Sequence, residues 1–184
     1  MAMASPSSFL ASILLGSLFI SPSFSRPIIT VVDTAKHSIV NQVCSKAKNP
    51  SMCLQILPHD GNLQAVAKSV VSSGHEYAED TIVNVMDAAM GSTEPQLKKK
   101  YSSCLTNMKT ADAALAKAIK EVGSGDFSGL GLGRAAATAK AETHKCISLF
   151  QSQPADPFYI LQGINNFGDV YVDIISIIST MLKK

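Results

Sequence analysis

Hydrophobic positions recur at steps of three and four along most of this chain, and the run that organises the rest lies between Gln96 and Phe150. Leu97, Tyr101, Cys104, Leu105, Met108, Ala111, Leu115, Ile119 and Val122 share one face of a helix. Gly123-Ser124-Gly125-Asp126 breaks that pattern, and Leu132, Ala135, Ala136, Ala139, Cys146, Ile147 and Phe150 resume it. The two segments read as long antiparallel helices joined at Gly123–Ser128. Cys104 and Cys146 lie almost equally far from this turn, roughly 28 Å at about 1.5 Å per residue. Facing helices about 8–10 Å apart, less two backbone radii, bring such Cα atoms to about 4–6 Å. That separation suits a disulfide.

The flanking segments follow the same logic. Ile28, Val31, Val32, Ala35, Ile39, Val40 and Val43 form an amphipathic stretch that ends near Cys44. Asn49-Pro50 stops one helix and starts another, because the first helical N–H has no partner for proline to remove. Pro50–Leu57 is then a short helix carrying Cys53, and Pro58–Gly61 a turn with Asn62 as N-cap. From Leu63 to Ala89 the helical period holds for about seven turns. Gly91–Pro95 closes that helix, Gln151–Pro157 is a loop, and the last helix spans Phe158–Leu182, burying Ile164, Phe167, Tyr171, Ile174, Ile175 and Ile178. The expected fold is all-α. It is an up-down-up-down four-helix bundle preceded by a short disulfide-linked N-terminal helical hairpin.

Composition sharpens this picture in two places. Met1–Ser25 carries no charge, has an apolar run from Phe9 to Ile20 and ends in a small-x-small site, the pattern of a secretory signal peptide. Cleavage is expected after Ser25, leaving one domain over 26–184, with the hairpin in 26–60 and the bundle in 61–184. All four cysteines follow the signal, which implies oxidation during export. Cys44 and Cys53 are local partners, and Cys104 and Cys146 meet across the long hairpin. Chain entropy assigns these loops roughly 2.7 and about 4 kcal/mol. The net charge of +2 is small and mixed, and Lys98-Lys99-Lys100 reads as a solvated helix start rather than a nucleic-acid contact. Asp169 and Asp173 in the last helix are expensive in lipid, so that helix is expected in the core and the mature chain away from membranes.

No constellation of residues points to catalysis. His37, His59, His75 and His144 are scattered, without metal-ligand spacing, and read as solvated or capping residues. Gly129-Leu130-Gly131-Leu132-Gly133 looks like a phosphate loop, but that motif follows a strand, and here a helix precedes it. Glu76, Glu79 and Asp80 fall on an outer helix face. Neither a cofactor nor an active site is expected; binding is the better reading.

The layout resembles the plant invertase/pectin methylesterase inhibitor family over essentially the whole mature chain. The resemblance rests on Cys44-Ser-Lys-Ala-Lys-Asn-Pro-Ser-Met-Cys53, on Cys104…Cys146 tying two bundle helices, and on the alanine-rich approach Ala135-Ala136-Ala137-Thr138-Ala139. It implies a secreted, monomeric protein of the apoplast (cell wall) or vacuole that covers the active-site cleft of a carbohydrate-active enzyme in a one-to-one complex. Invertase inhibitors of this family carry Pro-Lys-Phe in the hairpin loop, which enters an acidic site; here Gly125-Asp126-Phe127 stands in its place. Phe127 is kept, but the cation becomes an anion, and like charges at an interface oppose binding. Methylesterase inhibitors tend to have threonine at the positions of Ala141 and Lys145, so this motif is also missing. The expected target is pectin methylesterase, with cell-wall or vacuolar invertase as the alternative and Gly125, Asp126 and Phe127 as the candidate contacting loop.

Two other readings compete. A secreted helical carrier of an apolar ligand needs an interior cavity, which alanine-rich seams leave little room for. A detached pro-region of a larger enzyme is a further reading; a free-standing inhibitor is the simpler expectation.

Overall fold

Asn62 begins the first long helix as the sequence leads one to expect: its side-chain oxygen accepts from the Ala65 N–H at 2.9 Å. The computed structural model describes residues 38–183. Its helices are α1 (Ile39–Cys44), α2 (Pro50–Ile56), α3 (Leu63–Gly91), α4 (Pro95–Gly123), α5 (Leu130–Leu149), α6 (Ile160–Asn166) and α7 (Asp173–Leu182). A π-helical segment, Phe167–Val172, joins α6 to α7 into one C-terminal helix. The signal peptide expected over 1–25, the first helix between Ile28 and Ala35, and His37 lie outside the described residues. Within them, α1 starts only at Ile39, where extended Ser38 accepts from the Asn41 N–H and sets a helix boundary.

The four long helices pack in a ring. Helix α4 lies against α3 and α5, and the C-terminal helix closes the ring by packing on both α5 and α3. Tyr101, Met108, Leu115, Ile164, Phe167, Ile174, Ile175 and Ile178 fill its centre, all of them fully buried. Each such side chain gains about 1.5–3 kcal/mol from leaving water. The seams are closed by small residues, among them Ala67, Ala78, Ala111 and Ala139. Cys104 is bonded to Cys146 with the Cα atoms 4.5 Å apart, at the end of the α4–α5 hairpin remote from its turn. Cys44 is bonded to Cys53, Cα atoms 5.4 Å apart, and joins α1 to α2.

The C-terminal helix departs from expectation in two ways. It starts at Ile160 rather than Phe158, because Asp156 Oδ2 accepts from the Leu161 N–H and Tyr159 takes a left-handed backbone. Its middle is π-helical, so each turn holds more residues than an α turn. Val170 and Val172 therefore come round to the core beside Phe167, where regular α spacing leaves them off the stripe. At this segment the helix comes close to α5, with Gly168 against Thr143.

Asp169 and Asp173, notable in sequence only for their cost in lipid, hold the N-terminal hairpin to the bundle. The Lys48 N–H donates to Asp173 Oδ2 at 2.9 Å, and Lys48 Nζ meets Asp169 Oδ1 at 2.7 Å. Among the described residues no helix is long and apolar enough to cross a membrane.

Candidate target-binding surface

The α4–α5 turn is built by its own hydrogen bonds. As α4 ends, the Gly125 N–H donates to Val122 O at 3.2 Å and the Asp126 N–H to Glu121 O at 3.0 Å. Gly125 and Gly129 then carry the chain round with φ of 90° and 73°, values that only glycine adopts readily. Between them Asp126 Oδ1 accepts from the Ser128 N–H at 3.0 Å, and Ser128 Oγ accepts from the Leu130 N–H at 3.4 Å to cap α5.

Gly125 and Asp126 stand exposed at the tip, whereas Phe127 does not. Its ring folds back, half-buried, and Lys68 Nζ of α3 lies 5.5 Å from the ring centroid. The Ser128 N–H, then the Ser128 hydroxyl, hold the Asp126 carboxyl below its ordinary range, with Arg134 adding a smaller pull. The exposed carboxyl at this tip is therefore an anion through the mildly acid range.

Elsewhere the polar residues divide into outward and inward sets. Glu76, Glu79 and Asp80 are exposed, as are His59 and His144. His75 is not a solvated residue: it is half-buried, its Nδ1 2.5 Å from Asp112 Oδ1 across the α3–α4 seam and its Nε2 3.8 Å from Glu79. Lys100 likewise leaves the basic run, donating to Ser152 O at 2.6 Å and Pro154 O at 3.0 Å while lying over the Phe150 ring. Helical spacing places Glu79 beside His75, but periodicity alone could not find Asp112 or the carbonyls that Lys100 meets, since these lie on other elements. Among the described residues no group of three or more His, Cys, Asp or Glu side chains is placed to hold a metal ion.

Comparison with known proteins gives consistent matches. The family described as plant invertase/pectin methylesterase inhibitor matches residues 38–178. A pectinesterase inhibitor of Actinidia deliciosa is 30% identical over 181 residues, covering 96% of this chain and 94% of that protein. Pectinesterase inhibitor 1 of Arabidopsis thaliana is 32% identical over 109 residues, 58% of this chain and 62% of that one. The crystal structure of a pectin methylesterase inhibitor from Arabidopsis thaliana superposes with a TM-score of 0.62 at 25% identity, over 83% of this chain and 99% of that chain. A mutant form from Arabidopsis gives a TM-score of 0.69, also at 25% identity, over 78% and 97%.

Proposed function

The chain belongs to the plant invertase/pectin methylesterase inhibitor family, and from that premise we propose that it inhibits pectin methylesterase by covering the enzyme's active-site cleft in a one-to-one complex. It is not itself an enzyme. The observation that carries the choice of target is the near full-length similarity to a pectinesterase inhibitor. The shape of the hairpin tip supports it. An invertase-type tip offers a cation to an acidic sucrose site, whereas this one offers Asp126, kept ionised by Ser128.

A rigid scaffold suits this task, because a partner that is already ordered loses little entropy on docking. Two disulfides and a close-packed core supply that rigidity. The disulfides also fit an exported protein, and we place it in the apoplast beside its target. Size-exclusion chromatography of the mature protein with a plant pectin methylesterase, at mildly acid pH, tests the reading. Co-elution as a one-to-one complex with loss of esterase activity is expected. Separate elution of two active species would refute it.

A further inference from the structure

Tyr159 is the most exposed large hydrophobic residue described, with 80% of its surface in solvent. It is also the one non-glycine residue with positive φ, at 56°, among the described residues. A bulky side chain adopts that backbone only when its surroundings impose it. Asp156 imposes it here. Its Oδ1 accepts from the Tyr101 hydroxyl and from the Phe158 N–H at 3.1 Å, and its Oδ2 accepts from the Leu161 N–H at 2.8 Å. The fold thus holds a strained turn whose product is an aromatic ring in water. No core packing explains the ring's position.

The ring stands over a cavity. Tyr159 and Phe158, the latter 47% exposed, line an opening of about 550 Å³ between α3 and α6. That volume lies in the range of small-ligand sites, about 300–1,000 Å³. Asp80 and Asn84 face it from α3, Gln162 and Asn166 from α6, and no lysine or arginine lines it. A second opening, of about 310 Å³, continues it along α3 past Asn84 to Asp87. The result is an elongated cleft with two aromatic rings at its rim and amides and carboxylates along its wall.

This combination selects a ligand chemistry. A pyranose ring offers a C–H face that lies flat on an aromatic ring, and neighbouring hydroxyls that donate to carboxylates and accept from amide N–H groups. Asp80 and Asp87, with no cation opposite them, repel a charged uronate but accept its uncharged ester. We propose that the cleft between α3 and α6 binds a neutral, methyl-esterified galacturonan chain, stacked on Tyr159 and hydrogen-bonded to Asp80, Asn84 and Gln162. The choice of this glycan rests on pectin methylesterase being the target, since the esterified polymer is that enzyme's substrate. The cleft tethers the inhibitor to wall material that still carries ester groups, where the enzyme has work left to do.

Titration calorimetry and saturation-transfer NMR of the mature protein, with methyl-esterified hexagalacturonate and its saponified counterpart, test this. Saturable binding of the esterified oligomer is expected, at least about tenfold tighter than the saponified one. Tyr159→Ala should weaken it about tenfold or more, while Tyr159→Phe, which keeps the ring and the same backbone demand, should retain it. Unfolding midpoints of both variants separate loss of the ring from loss of the fold. Absence of saturable binding, preference for the saponified oligomer, or unchanged binding by a folded Tyr159→Ala would overturn the proposal. Oligomer binding in this pattern without inhibition of the esterase would sustain the cleft and remove the target reading. Inhibition without oligomer binding would do the reverse.

Discussion

The phenol of Tyr101, fully buried in α4, donates to Asp156 Oδ1 and so ties the bundle core to the turn that starts the C-terminal helix. Tyr101→Phe removes a hydrogen bond to a charged acceptor while Asp156 keeps its two backbone donors. A loss of about 1.5–3 kcal/mol is expected, read as a lower urea midpoint at unchanged slope.

The same bond fixes an alkaline limb. Burial first, then the bond to Asp156, push the Tyr101 phenol well above its ordinary 10.0. The unfolded chain therefore ionises first. The stabilisation is complete below about pH 10 and declines as pH rises beyond it. Unfolding midpoints measured from neutral to strongly alkaline pH should fall less steeply for Tyr101→Phe than for the parent protein. A residual limb should remain, because burial also raises Tyr171. Equal slopes in both proteins would contradict this assignment.

His75 and Asp112 couple α3 to α4. Asp112→Ala leaves a half-buried imidazole without its partner and should cost about 1–2 kcal/mol. A double-mutant cycle with His75→Ala should return a coupling above about 0.5 kcal/mol. Additive losses would mean that the two side chains do not stabilise one another.

Lys48 joins the N-terminal hairpin to Asp169 and Asp173 at an exposed site, so the pair contributes no more than about 1 kcal/mol. Its effect should be local. Asp173→Ala is expected to speed hydrogen exchange at the Lys48 amide and to leave the amides of α4 and α5 unchanged. A global drop in protection would show that the hairpin and bundle unfold as one unit.

Asp126→Lys tests whether the charge at the hairpin tip separates the two possible targets. If the tip enters an acidic sucrose site, Asp126→Lys should gain roughly tenfold or more in invertase affinity, since it exchanges a repelled charge for an attracted one. The substitution also removes the bond that Asp126 Oδ1 accepts from the Ser128 N–H, so a small fall in the unfolding midpoint should accompany it. No inhibition of invertase by Asp126→Lys would show that the charge at the tip is not what keeps the parent protein off that enzyme.

Helices α3, α4 and α5 were legible because each combines a long apolar stripe with a strong stop: Asn62 before α3, Pro95 before α4, and the Gly123–Gly125 break after it. The Cys104–Cys146 pair followed from counting outward from that break. The π-helical segment was not legible, since Ile164, Phe167, Tyr171, Ile174 and Ile178 fit an α period well. Only the burial of Val170 and Val172 betrays the change of pitch. Asp156 escaped notice for a different reason: it caps a helix from five residues upstream and meets a tyrosine 55 residues away. Phe127 read as part of a projecting loop, but its ring packs against the core, with Lys68 of a separate helix over it.

The most direct test of the account is a parallel titration of plant pectin methylesterase and plant invertase activity with the mature protein at mildly acid pH. Esterase activity should fall linearly to a break at one equivalent while sucrose cleavage is untouched. Inhibition of invertase alone, or of neither enzyme, would contradict the proposed function.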